Sequence, residues 1–119
     1  MKILIILCSV TLMLIFNSAF AVDDGTTQEN DSFLFTDLHG QDCGYGTYCI
    51  TGVFKNKTNK EYAAVFFDFT LYDNDGQPWG IASSTALNVK ALGSSDFVAY
   101  SSVLANGVSR FTLRKIRVH

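Results

Sequence analysis

Two cysteines in the middle of the chain are the residues whose spacing points most directly to chemistry. Cys43 and Cys49 enclose five residues, two of which are glycine (Cys-Gly-Tyr-Gly-Thr-Tyr-Cys). A metal site would need more ligands than this pair and the nearby His39 supply. A redox pair has two residues between its cysteines rather than five. The spacing therefore favours a structural disulfide, provided that the chain enters an oxidising compartment.

The other candidates for catalysis do not form a constellation. His39 and His119 are the only histidines, one beside a predicted turn and the other at the last position. A nucleophilic triad needs a nucleophile, a base and an orienting acid gathered in space. A glycosidase needs two carboxylates that face one substrate, whereas Asp68 and Asp73 are predicted to lie on opposite faces of one strand. The sequence thus predicts no catalytic residue, metal site or cofactor, and a protein that is not an enzyme.

The first 21 residues are typical of a secretory signal peptide. Lys2 gives a basic start, an apolar run follows over residues 3–16, and Ala19-Phe20-Ala21 supplies the small residues of a cleavage site. An uncleaved membrane anchor is the alternative. A bilayer span takes about 20 apolar residues, a length that the run reaches only by including polar residues. We expect a periplasmic or secreted protein that begins at Val22 and has no membrane span after cleavage.

Charge and length limit the functions that the exported chain can have. The 119 residues carry 9 Lys and Arg against 11 Asp and Glu, for a formal net charge of −2 at pH 7. A nucleic-acid-binding domain would show a basic face, so no nucleic-acid partner is expected. The charges are unevenly spread, because residues 23–42 contain acids and no Lys or Arg. The basic residues nearest the C-terminus are Arg110, Arg114, Lys115 and Arg117.

The clearest strand in the sequence lies at residues 62–73. Its odd positions from Ala63 to Leu71 are uniformly apolar, which is typical of a half-buried strand. We expect Phe67, Phe69 and Leu71 to point into the core. Phe66 and Tyr72 belong to the outward set, where they are either covered by a neighbouring loop or strand or exposed as an aromatic patch.

The rest of the chain predicts a single all-β domain over residues 32–119. Residues 22–31 are polar and acidic, which indicates a flexible leader, and residues 39–42 are expected to turn the chain into the cysteine ring. No helix is predicted after the signal peptide. The expected fold is an immunoglobulin-like β-sandwich of six to eight short antiparallel strands. Other strands are predicted at 32–36, 48–54, 79–89, 96–103 and 108–118, with turns at 74–78, 92–95 and 106–107.

The central strand and its flanks resemble the FxLYD family. The pentapeptide Phe69-Thr70-Leu71-Tyr72-Asp73 matches the motif that gives the family its name. The resemblance covers about residues 48–100, lacks the proline of a later family turn, and leaves the cysteine ring outside. It implies an immunoglobulin-like sandwich from a bacterial or archaeal envelope-associated protein, with no catalytic residues to transfer. The flanking matches are Gly52-Val53-Phe54-Lys55-Asn56, Asp75-Gly76, Gly80-Ile81-Ala82, Leu92-Gly93 and Phe97.

Function is therefore expected to depend on surface contacts. Two surfaces are candidates: the cysteine ring with Tyr45 and Tyr48, and the last strand with its four basic residues. Tyrosine offers apolar area and a hydroxyl group at low entropic cost. We therefore predict an exported, non-enzymatic binding module. Its partner would be a protein or an envelope component that the sequence does not identify. The sequence does not indicate an oligomeric state. A small disulfide-stapled envelope inhibitor, for example of a host lysozyme, and an assembly subunit are the alternatives.

Overall fold

The structure is a computed structural model that describes residues 26–119, and these form seven antiparallel strands. The predicted signal peptide and its cleavage site lie outside the described residues. Within residues 26–119, the one helical element is a 3₁₀ turn at Ala105–Gly107. The prediction of an all-β fold with six to eight strands is therefore confirmed. The strands are β1 (Thr26–Glu29), β2 (Phe33–Asp42), β3 (Thr47–Asn56), β4 (Tyr62–Tyr72), β5 (Pro78–Val89), β6 (Ser94–Leu104) and β7 (Arg110–Val118).

All seven strands belong to one sheet in the order β1-β2-β3-β6-β5-β4-β7. The link between β6 and β5 is a single residue pair, Ser83 with Tyr100. The two edge strands are joined through a side chain, because the Gln28 Oε1 atom of β1 accepts a hydrogen bond from the Leu113 N–H group of β7. The result is a curled, barrel-like sheet. The sandwich arrangement stays a prediction.

The core lies inside this curled sheet and is dominated by phenylalanine. Phe67, Phe69 and Leu71 are buried, as the alternation in β4 predicts. Phe35 of β2 contacts Phe69 at a ring-centroid distance of 5.9 Å, and Phe54 of β3 stacks on Phe67 at 5.4 Å. Strands from the two halves of the sheet order thus share one core.

Asn56 is the one buried polar side chain in the described part of the chain. Its Nδ2 group donates hydrogen bonds to the carbonyl oxygens of Lys60 at 2.8 Å and Lys90 at 3.0 Å. Its Oδ1 atom accepts from the Thr58 N–H group at 2.9 Å and from the Thr58 hydroxyl at 2.7 Å. This side chain therefore ties the β3–β4 loop to the end of β5.

The structure adds one strand that the sequence did not predict and overturns one predicted turn. Residues 26–29, which belong to the predicted acidic leader, form β1, because an edge strand needs only backbone pairing and a side-chain anchor and no apolar face of its own. Residues 39–42, expected to turn, continue β2 and pair with β3 as far as Asp42 opposite Tyr48. The irregularity lies earlier, at Asp37, whose φ of 53° accompanies a register shift in the β2–β3 ladder.

Candidate functional site

The cysteine ring is an ordered loop closed by a disulfide. The Cα atoms of Cys43 and Cys49 are 5.9 Å apart and their sulfur atoms are bonded, within the range that a disulfide requires. The Asp42 Oδ1 atom accepts hydrogen bonds from the Gly44 N–H group at 2.8 Å and the Gly46 N–H group at 3.0 Å. Both glycines have positive φ, 101° and 81°, which glycine adopts without a steric penalty. The loop is thus fixed by covalent, side-chain and backbone constraints together.

Tyr45 projects from the tip of this loop. Its side chain is 93% exposed, more than any other large hydrophobic residue in the described chain. Tyr100 and Leu104 are also exposed, at 64% and 58%, and β6 places both side chains on its outer face. Tyr100 lies opposite Cys49 in the β3–β6 ladder. The disulfide and this pair of apolar side chains therefore share one face of the sheet.

Tyr48 lies in the core, so it does not belong to the contact surface that the sequence suggested. It is 6% exposed, and its ring packs near Phe111 with the ring centroids 6.5 Å apart. Burial raises the pKa of its phenol to about 12. The alternation in β3 explains the position, because Tyr48 falls in the same inward set as Ile50 and Phe54. Extending that alternation backwards by two residues would have predicted it.

The basic side chains of β7 lie over the outer face of β4. The Arg110 guanidinium is 3.7 Å from the centroid of the Tyr72 ring, and the Arg117 guanidinium is 5.2 Å from that of Phe66. Phe66 also contacts the His119 ring, at a centroid distance of 5.1 Å. These contacts show that a neighbouring strand partly covers the two outward aromatic residues of β4.

Arg114 forms a bidentate ion pair with Asp68. Its Nε and Nη2 atoms donate to the two carboxylate oxygens at 2.8 Å and 2.9 Å. This hydrogen bond, together with the carboxylate charge, raises the pKa of the guanidinium above its ordinary value. Three of the four β7 cations thus have partners within the sheet, and Lys115 is the one that makes no ion pair or ring contact with the residues described.

A cleft that sequence reasoning missed opens at the end of the sheet nearest the disulfide loop. Its volume is about 490 Å³. The buried Tyr48 contributes to its wall, and its phenol oxygen occupies the space that a side chain at Gly40 would fill, only 1.6 Å from the ideal Cβ position. The lining residues are Gly40, Gln41, Asp42, Tyr48, Ala105, Asn106, Val108 and Ser109.

The described residues contain no cluster of three or more metal-ligating side chains. His119 lies beside β4 through its contact with Phe66, and His39 lies in β2 opposite Thr51. Within residues 26–119, no helix is long and apolar enough to cross a membrane.

Comparisons with protein-family models, with curated proteins and with solved structures found no match for the chain. The function is therefore inferred from the residues and their geometry alone.

Proposed function

We propose that the protein is an exported, non-enzymatic binding module whose contact surface is centred on Tyr45. The observation that carries the proposal is the combination of a nearly fully exposed tyrosine with a loop closed by a disulfide and two side-chain hydrogen bonds. An exposed aromatic ring on a fixed loop loses little conformational entropy when it binds, so more of its contact energy becomes affinity.

Tyr100 and Leu104 enlarge this surface. Both are exposed apolar residues of β6, on the face of the sheet to which Cys49 of the disulfide also points. Aromatic side chains are enriched among the residues that dominate binding energy at protein interfaces. A partner with a complementary apolar depression would bury Tyr45 at the centre of the contact and the two β6 residues beside it.

The β7 cations have a lesser role in this proposal. Arg110, Arg114 and Arg117 already contact side chains of β4, and Lys115 keeps an uncompensated charge. Exposed charges at the rim of an interface mainly change the association rate and its salt dependence. We infer that β7 can steer an acidic partner but does not set the strength of the complex.

An envelope inhibitor is the form of binding module that the disulfide loop favours. A protruding, ordered loop can enter the cleft of a target enzyme, and the backbone of the loop is held from two sides. Asp42 binds its glycine N–H groups, and the Gly46 carbonyl accepts a hydrogen bond from the Ala105 N–H group at 2.8 Å. Inhibition of a target enzyme by the isolated protein would distinguish this form from a simple adaptor.

The test compares Tyr45→Ala with the unmodified mature protein. Partners are first isolated from envelope extract, and their binding is then measured by surface plasmon resonance beside a melting curve. We expect the substitution to weaken binding by about tenfold or more, mainly through faster dissociation, at an unchanged melting temperature. Asn59→Ala, which truncates an exposed side chain in the β3–β4 loop, is the control and should bind normally. Unchanged dissociation in Tyr45→Ala would refute the proposed surface.

A further inference from the structure

We propose that the cleft beside Tyr48 is a binding site for a neutral oligosaccharide. The starting observation is a hydroxyl group that lies in the wall of the cleft without a hydrogen-bond partner. Tyr48 is 6% exposed, yet no residue in the described chain bonds to its phenol oxygen. The great majority of buried hydroxyl groups in proteins have a hydrogen-bond partner, so this one must be satisfied from outside the chain, by water or by a ligand that displaces it.

A glycine leaves room for this hydroxyl group. Gly40 lies directly over it, and even a methyl side chain at that position would overlap the phenol oxygen. Burial raises the pKa of the phenol, so at physiological pH the group is a neutral hydroxyl that can both donate and accept a hydrogen bond. A hydroxyl group of a ligand can satisfy it in either direction.

The other polar groups of the cleft define the rest of the ligand. Asp42 uses its Oδ1 atom for the disulfide loop, which leaves Oδ2 as an acceptor that no described residue occupies. Gln41 and Asn106 add amide groups, each of which both donates and accepts. Such a lining suits neighbouring hydroxyl groups, which can do both. An anionic ligand is disfavoured, because the one charged residue in the lining is an acid.

An exposed indole ring packs against the 3₁₀ turn that forms one wall of the cleft. The Trp79 ring lies against Gly107, where an added Cβ would be 2.0 Å from its six-membered ring. Gly107 lies between Asn106 and Val108, both of which line the cleft. Trp79 is 43% exposed, so it offers an apolar surface on which the C–H face of a sugar ring can pack.

The lining also explains why this site would bind a saccharide without cleaving it. Hydrolysis of a glycosidic bond uses two carboxyl groups that flank the bond. Among the lining residues, Asp42 is the one acid. The site is separate from the Tyr45 surface, so the two proposals can fail independently.

The experiment titrates the ¹⁵N-labelled mature protein with three neutral trisaccharides, namely chitotriose, cellotriose and maltotriose, each up to about 10 mM, which detects even weak binding. We expect at least one of them to shift amide signals of residues 40–42 and 105–109. Tyr48→Phe should weaken that binding by about tenfold, and Trp79→Ala should weaken it as well. Tyr62→Phe, which removes the same atom from a half-buried ring that does not line the cleft, is the matched control and should bind normally.

Four outcomes would overturn the inference. One is the absence of shifts with all three sugars, and another is equal binding by Tyr48→Phe and the unmodified protein. The third is an equal response to the neutral peptide triglycine, which would assign the cleft to a different class of ligand. Tyr48→Phe removes an unpaired hydroxyl and should not lower the melting temperature, so a loss of binding would not reflect unfolding. Sugar-induced shifts confined to Tyr45 and Tyr100 would refute the cleft as the sugar-binding site, without contradicting the proposed contact surface.

Discussion

Asn56 and the aromatic Tyr48 each place a polar group in the interior, and the two groups differ in their hydrogen-bond partners. Asn56 makes hydrogen bonds with both ends of its amide, so its burial fixes two loops at little desolvation cost. Tyr48 has a buried hydroxyl group without a partner among residues 26–119. Asn56 therefore has a purely structural role, whereas Tyr48 retains a hydroxyl group that is free to bind a ligand.

Asn56→Asp is expected to destabilise the fold by about 2–4 kcal/mol. The new carboxylate would place an oxygen against the Lys60 and Lys90 carbonyls, where the native amide donates. Asn59→Asp, the same change at an exposed position of the same loop, should alter the free energy of unfolding by less than about 0.5 kcal/mol. Urea denaturation measures both. A similar loss in the two variants would mean that loop charge, rather than the buried amide, is responsible.

At the scale of single elements, sequence reasoning succeeded where one face of a strand is apolar. The alternation in β4 correctly placed Phe67, Phe69 and Leu71 in the core, although Ala63 at its start is exposed. It failed for β1 and for the end of β2, because both are polar and are formed by backbone pairing that depends on distant strands. It also could not show that β7 side chains cover the outer face of β4, since that contact depends on the order of strands in the sheet.

Phe69→Ala should lower the free energy of unfolding by about 3–5 kcal/mol. Phe69 is completely buried and its ring contacts Phe35, Phe97 and Phe111. Phe66→Ala is the control, because it removes the same ring from the outer face of the same strand. We expect it to cost less than about 1.5 kcal/mol, since Phe66 is half-buried. Chemical denaturation of the two variants would contradict the orientation of β4 if their order were reversed.

At the scale of the whole molecule, one sheet encloses one core, and the number of strands could be predicted while their arrangement could not. Turn residues such as Asp75 and Gly76 mark where strands end, and Gly76 has a positive φ of 81°, which a tight hairpin turn needs. The single pair between β5 and β6 has no comparable local signal. The Tyr48 cleft was likewise unpredictable, because it combines residues 40–48 with residues 105–109.

The stability of the molecule should fall at alkaline pH through Tyr48. Its folded-state pKa is about 12, above the value of about 10 for an unfolded tyrosine. The unfolded chain therefore releases its proton first, and stability is lost as pH rises from 10 towards 12. By pH 11 the loss should be about 1 kcal/mol.

Denaturation curves at pH 9 and pH 11 test this expectation, with Tyr48→Phe as the reference. The variant lacks the titrating group, so its stability should change less between the two pH values than that of the unmodified protein. Equal changes in the two proteins would show that Tyr48 ionises normally in the folded state.

The two ends of the strand order have a consequence for behaviour at high concentration. β1 and β7 are sheet edges, and exposed edges are where separate molecules add to one another to form aggregates. Gln28 of β1 occupies the Leu113 N–H group of β7, and the β4–β7 ladder is irregular beside Asp68. Lys115 puts a positive charge, unpaired among the described residues, on the same edge, which repels an identical edge from a second copy. The last strand should thus hinder edge-to-edge association at high protein concentration, whether or not it meets a partner.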